Sequence, residues 1–161
     1  MLQIARMEHL SPTVAREFTR IYGASFPPSE RQDVDVLLTA VDGGLCACYV
    51  ALEGGSVVAL AVLPDLGEPG SWYLIYLAVA PDVRGRGVGA ALLEHLGRAA
   101  DEAGAGGIGG SVEDPEEVQG EERRMRLRRI DFYRRHGASR GGAPLGSGRR
   151  ASTPRAHSRS G

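Results

Sequence analysis

The sequence predicts an α/β fold in which helices flank a mixed, mostly antiparallel sheet. Three observations predict it: short apolar runs typical of strands, segments with helical periodicity between them, and a glycine-rich loop that joins a strand to a helix. Along the chain the predicted order is β-α-α-β-β-β-α-β-α. A chain of 161 residues has room for one domain with a sizeable core.

The first part of the chain reads as one strand and two helices. Gln3–Met7 is the strand, and Ser11-Pro12 is a good start for a helix that ends at Gly23. Capping-box spacing from Ser29 to Gln32 predicts the start of a second helix, which Gly43-Gly44 ends. The apolar stripe of this second helix comprises Val34, Leu37, Leu38 and Val41.

Three strands are predicted in the middle of the chain. Leu45–Leu52 and Val57–Leu63 are joined by the hairpin signal Glu53-Gly54-Gly55-Ser56. Ser71–Val79 is predicted to be one continuous central strand.

The remaining elements are a helix, a weak strand and a final helix. The first helix begins near Val88, and its predicted inward face comprises Val88, Ala91, Leu92, His95, Leu96 and Ala99. A glycine-rich strand is expected over Ile108–Val112 and a helix over Glu121–His136. We interpret the arginines of this last helix as a solvated face.

The two cysteines indicate a reducing compartment. Cys46 and Cys48 lie two apart on a predicted strand, so both side chains should face the same side as buried small residues. A disulfide between such close neighbours would be strained, and two thiols alone make a poor zinc site, so no metal is expected. Without a secretory signal or a long apolar run, we expect a cytoplasmic protein that does not bind membranes.

Charge is distributed unevenly. Residues 1–120 carry 7 arginines against 17 acidic residues, whereas residues 121–161 carry 12 arginines against 3 acidic residues. A basic region of this kind can bind nucleic acid, but no known nucleic-acid-reading motif accompanies it. We therefore expect no nucleic-acid partner.

The stretch Arg84-Gly85-Arg86-Gly87-Val88-Gly89 carries the clearest chemical signal. Its glycines leave backbone N–H groups unshielded at the start of a helix, and such a site favours an anion such as phosphate. The chain lacks lysine, which excludes a Walker loop. The alternating glycines and the position of the loop in mid-chain disfavour a dinucleotide fingerprint.

Arg84, Gly87 and Gly89 match the pattern Arg/Gln-x-x-Gly-x-Gly/Ala, and Phe132-Tyr133 with Gly137 match a later Phe-Tyr-x-x-x-Gly signature. The sequence thereby resembles the GNAT superfamily of N-acetyltransferases. The resemblance covers about residues 1–140 and implies the GNAT-like acyltransferase fold, with acetyl-CoA as co-substrate. It implies a coenzyme site made of Leu77, Ala78, Val79, Arg84, Gly85, Arg86, Gly87, Val88, Gly89 and Ala90.

The resemblance also implies a reaction, in which an amine attacks the thioester directly in a ternary complex. Tyr133 is the implied acid for the departing thiolate, and a backbone N–H near Val79 is the oxyanion donor. Many relatives have Glu where this chain has Ser111, so the expected base is Glu113 acting through water, with Asp114 a weaker candidate. A solvated acidic turn explains Glu113 equally well.

Phe26 and Glu30 lie on the segment that usually walls the acceptor pocket in this superfamily. We expect them to meet an apolar and a cationic part of the acceptor, although helix capping explains them equally well. The acceptor is a small-molecule amine or a peptide amine, and the oligomeric state is open. The alternative hypothesis is a non-catalytic acyl-CoA-binding remnant of such an enzyme.

Residues 139–161 depart from the family pattern. They contain one leucine and no alternating apolar run, where the family normally has two further strands. We expect a GNAT-like domain over residues 1–138 and a disordered tail over 139–161, with the last strand pair missing and the reading frame lost near Ser139.

Overall fold

The structure is a computed structural model that describes residues 1–65, 72–105, 107–110 and 115–135. Its four helices within these ranges are α1 (Pro12–Ser25), α2 (Val34–Asp42), α3 (Val88–Glu102) and α4 (Gly120–Arg135). Its strands are β1 (Leu2–Met7), β2 (Cys46–Glu53), β3 (Ser56–Pro64), β4 (Trp72–Leu74), β5 (Tyr76–Val79) and β6 (Ile108–Gly110). Short 3₁₀ turns cover Pro28–Glu30, Pro81–Val83 and Pro115–Glu117.

The strands form two groups. β1, β2, β3 and β5 make an antiparallel sheet in that order, while β4 pairs with β6 in parallel. Helices pack against this mixed sheet, so the predicted fold class is confirmed. The core follows β3, whose residues from Val57 to Leu63 are all buried.

The predicted hairpin between β2 and β3 is confirmed. Gly54 and Gly55 have φ angles of 59° and 83°. Two successive positive φ values define a type I′ turn, whose twist matches that of the strands it joins.

The helix starts were predicted in part. Ser11 caps α1 by accepting a hydrogen bond from the amide of Val14 at 3.2 Å, but the helix continues past Gly23 to Ser25. The capping box at Ser29 was wrong, because Asp33 caps α2 by accepting from the amide of Asp35. Ser29 instead lies in the 3₁₀ turn Pro28–Glu30 and donates to Glu122 on α4.

The predicted central strand is divided into β4 and β5 at Ile75. The amide of Ile75 donates to the carbonyl of Val62 at 2.8 Å, and Tyr76 opposes that same residue in the β3–β5 register. Two residues therefore meet one on β3, as in a bulge, and the chain on either side pairs with a different strand. The sheet consequently opens between β5 and β6.

The inward faces of the last two helices differ from those predicted. On α3, Leu93 and Ala100 are buried, whereas Ala91, His95 and Ala99 are only partly buried. The arginine-rich helix α4 has its own buried face, made of Arg126, Ile130 and Tyr133. The interpretation of these arginines as a solvated face was therefore wrong for Arg126.

Cys46 and Cys48 are free thiols, and Cys48 is fully buried. Burial, together with the neighbouring Cys46, raises the pKa of Cys48 to about 12. Such a thiol stays protonated and serves as a small core residue, as predicted. The predicted tail over 139–161 lies outside the described residues, so the domain boundary at 138 stays a prediction.

Candidate active site

The loop before α3 has the open backbone that an anion site requires. Gly85 and Gly87 have φ angles of 81° and 78°, and a Cβ added at either would meet no atom within 4 Å. Gly87 is also the N-cap of α3 and offers no side-chain cap. The 15-residue helix therefore begins without a side-chain cap, beside a loop with open space at Gly85 and Gly87, and such a helix start favours an anion.

The third motif glycine, Gly89, serves close packing. A Cβ built there would lie 3.1 Å from Cγ2 of Val79 and 3.2 Å from the ring of Phe132. The start of α3 is thus pressed against both β5 and α4. These contacts place the anion-binding loop directly beside the end of β5.

Two arginines tie this loop to the rest of the fold. Arg84 donates from Nε to the carbonyl of Val79 at 3.1 Å and from Nη2 to the hydroxyl of Ser25 at 3.3 Å. Partial burial and the charge of Arg128 lower the pKa of Arg84 from its ordinary value. Nη2 of Arg86 donates to both carboxylate oxygens of Glu53, at 2.9 and 3.1 Å. Pairing of Arg84 with phosphate stays a prediction.

β5 directs part of its backbone away from the sheet. The amide of Ala80 donates to the carbonyl of Val58 at 2.8 Å, and in the same register Ala78 faces β3. Backbone groups alternate in direction along an antiparallel strand, so those of Leu77 and Val79 point to the other side. Within the described residues β5 is the last strand of its sheet on that side. The edge of β5 that is predicted to bind the coenzyme therefore lies next to the loop.

Tyr133 lies on the buried face of α4, one turn beyond Arg129. Its burial raises the pKa of the phenol, and the charge of Arg129 offsets a small part of that rise. The hydroxyl consequently stays protonated at neutral pH, which a general acid requires. Its ring packs edge-on against that of Phe132, with centroids 5.3 Å apart. The catalytic role of Tyr133 stays a prediction.

Ser111, Glu113 and Asp114, the residues considered for the base, lie outside the described residues. The parallel pairing of β4 with β6 ends at Gly110, directly before them in sequence. The proposed base therefore still rests on the sequence alone.

Phe26 and Glu30 lie next to each other in space but are enclosed by neighbours. Phe26 packs with Tyr22 and Tyr76, with ring centroids 5.6 and 5.0 Å apart. Glu30 is 6% exposed and accepts hydrogen bonds from both Arg126 and Arg129, at 3.2 and 2.5 Å. Its carboxylate is already paired with two arginines inside the protein. Contact of Glu30 with a cationic acceptor stays a prediction.

Arg126 and Arg129 were not predicted to face inward, although both do. A signal was present, since both lie at helical spacing from Ile130 and Tyr133 and so share their face of α4. Their partner Glu30 is 96 and 99 residues away in sequence, which periodicity cannot reveal.

The described residues contain neither a candidate metal site nor a candidate membrane-spanning helix. No group of three or more His, Cys, Asp or Glu in those parts of the chain is arranged to hold a metal ion. Among the helices described, none has the length and apolar composition needed to cross a membrane.

A family model described as "Acetyltransferase (GNAT) domain" matches residues 44–137 of the chain. This segment contains the loop, β5 and all of α4. No curated protein matches the sequence.

Solved structures share the fold. A GNAT family acetyltransferase from Streptococcus pneumoniae TIGR4 is 23% identical, with a TM-score of 0.57 over 85% of this chain and 86% of that one. An aminoglycoside 6′-N-acetyltransferase complexed with coenzyme A is 16% identical, with a TM-score of 0.61 over 70% and 62%. The ribosomal-protein-S18-alanine N-acetyltransferase from Escherichia coli is 23% identical, with a TM-score of 0.53. That alignment covers 67% of this chain and 64% of the Escherichia coli chain.

Proposed function

The chain belongs to the GNAT acetyltransferase family, and on that premise we propose that it transfers an acetyl group from acetyl-CoA to an amine. One observation carries the proposal. The outward backbone of Leu77 and Val79 lies beside the open glycine loop at the start of α3. A strand edge can bind the amides of a pantetheine arm while the loop binds the pyrophosphate attached to it.

Bound acetyl-CoA supplies an acetyl thioester for attack by the unprotonated amine. In our proposal a backbone N–H near Val79 donates to the oxygen that becomes negative during attack. Tyr133 gives its proton to the departing sulfur, and Glu113 accepts the proton of the amine through water. Phe26 and Glu30 belong to the wall that faces the acceptor. The amine nitrogen gains the acetyl group and loses one proton, so a covalent acyl-enzyme is not required.

Titration calorimetry with acetyl-CoA tests the coenzyme site, with Gly87→Glu as the disrupting variant. A carboxylate at this position repels phosphate, and the side chain is strained at a φ of 78°. Gly44→Glu is the matched control, because Gly44 also has a φ of 78° and open space around it. Gly44 precedes β2, whereas Glu53 at the end of that strand pairs with the loop, so the control lies far from the site.

We expect the parent and Gly44→Glu to bind acetyl-CoA and Gly87→Glu to lose at least about tenfold in affinity. A folded parent that fails to bind would refute the proposal. Binding without acetylation of any amine in a broad screen would favour the non-catalytic remnant instead.

A further inference from the structure

Arg129 has an enclosed nitrogen that donates no hydrogen bond to any described residue. Its Nη1 donates to Glu30 at 2.5 Å, and its guanidinium carbon lies 4.9 Å from the centroid of the Phe26 ring. Its Nη2 is buried and has no hydrogen-bond partner in the described part of the chain. A buried N–H group without an acceptor costs free energy, so a site that retains one is expected to gain its acceptor from outside.

The charges around Arg129 favour an anion as that acceptor. Arg126 and Arg129 share the buried carboxylate of Glu30. Glu117 also bonds Arg126, but its side chain is 58% exposed and therefore solvent-screened. Among the described residues, Glu30 is the enclosed carboxylate that both guanidinium groups share. A guanidinium N–H bonds most strongly to an anionic acceptor such as a carboxylate.

This cluster contacts β5 at Tyr76, at the opposite end of the strand from the glycine loop. Tyr76, the first residue of β5, donates its hydroxyl to the backbone carbonyl of Glu30 at 3.4 Å and packs on Phe26. The loop follows the other end of the strand, after Val79. A coenzyme with its pyrophosphate on the loop and its arm along β5 would present the thioester toward Tyr76.

We propose that the acceptor amine carries a carboxylate and that Arg129 binds this carboxylate through Nη2. The inference rests on the proposed function and narrows its substrate class. Glu30 and the ring of Phe26 fix the guanidinium plane before binding, so the free nitrogen is held in place. The Arg129 side chain as a whole is 18% exposed, so the cluster reaches the surface beside the enclosed Nη2.

Matched acceptor pools test the proposal with saturating acetyl-CoA. One pool contains the twenty common α-amino acids, and the other contains their α-carboxamides, which lack only the negative charge. Acetylated products are measured by mass spectrometry. We expect the acids to react at least about tenfold faster than the amides, because hydrogen bonds to charged groups are the stronger ones.

Arg129→Lys is the informative variant. Lysine keeps a positive charge for Glu30 but lacks the second nitrogen of the guanidinium fork. We expect the preference for acids to fall below about threefold in this variant, while Arg128→Lys, on the exposed side of α4, keeps it. Acetyl-CoA affinity close to that of the parent shows that each variant is folded.

Equilibrium binding separates failure of this proposal from failure of the proposed function. Retention of N-acetylated amino acids and of their amides by the protein is measured in the presence of coenzyme A. This measurement requires no turnover. Retention of the acids by the parent and its loss in Arg129→Lys would support the carboxylate site even in an inactive chain. Equal reaction and equal retention of acids and amides would overturn it, whether or not acetyl-CoA binds.

Discussion

Tyr133 can donate a proton only while its hydroxyl holds one, and its surroundings keep it so. Burial raises the pKa of the phenol well above its ordinary value, which outweighs the opposing charge of Arg129. A raised pKa means that the neutral form persists to higher pH than for a free tyrosine, which titrates near about 10. The same enclosure also fits simple packing, so the catalytic role needs a kinetic test.

We expect Tyr133→Phe to lower kcat by about a hundredfold and to leave acetyl-CoA affinity unchanged, because only proton donation to the sulfur is lost. Because the pKa of Tyr133 is raised, the activity of the parent should not decline below about pH 10 through loss of this proton. Steady-state rates across pH and calorimetry measure both effects. Tyr49→Phe is the control, since Tyr49 packs against Trp72 and His95. Activity within threefold of the parent would assign Tyr133 to packing.

At the level of elements, a buried ion cluster links α4 to the segment before α2. Glu30 bonds two guanidinium groups from successive turns of α4, and Ser29 adds a hydrogen bond to Glu122 at 2.8 Å. Arg126 and Glu30 are 5% and 6% exposed. Removing one partner of such a pair leaves an uncompensated buried charge.

Glu30→Gln should therefore reduce the free energy of unfolding by about 3 kcal/mol, because two enclosed arginines lose their shared counter-charge. Glu94→Gln is the control, since its pair with Arg98 is exposed on α3. We expect this control to cost less than about 0.5 kcal/mol. Urea denaturation followed by circular dichroism measures both values, and a loss below about 1 kcal/mol for Glu30→Gln would contradict the buried pair.

The sequence predicted those elements whose cause is local. Ser11-Pro12 starts a helix and Gly54-Gly55 turns a hairpin because each depends on the backbone preferences of a few adjacent residues. The central strand is divided at Ile75 because its two halves pair with different strands. The residues from Ser71 to Val79 contain no local signal of this division. The loop glycines of the site were predictable for the same local reason.

Arg126 shows why the rest of the site could not be predicted. An arginine inside a basic helix is normally solvated. Its burial is compensated here by a carboxylate that is distant in sequence. That carboxylate, Glu30, is brought near by the packing of the whole domain. Residue identity alone therefore suggested a free acidic group at Glu30, where the fold has paired that carboxylate with two arginines.

At the scale of the whole molecule, the loop is fixed before any ligand arrives. Arg84 links it to Ser25, 59 residues earlier, and Arg86 links it to Glu53, 33 residues earlier. Gly89 packs it on β5 and α4. Ordering that is completed during folding need not be repeated on binding, so these distant links favour tight binding of a phosphate-bearing ligand.

The predicted boundary at residue 138 can be tested on the whole chain. Residues 139–161 contain one leucine and no alternating apolar run, so they can bury little apolar surface. We expect a chain ending at residue 138 to melt within about 2 °C of the full chain and to bind acetyl-CoA equally well. Differential scanning calorimetry and isothermal titration measure these quantities. A melting temperature lower by more than about 5 °C would correspond to a loss above 1 kcal/mol. It would mean that residues 139–161 pack on the domain, and the hypothesis of a disordered tail would fail.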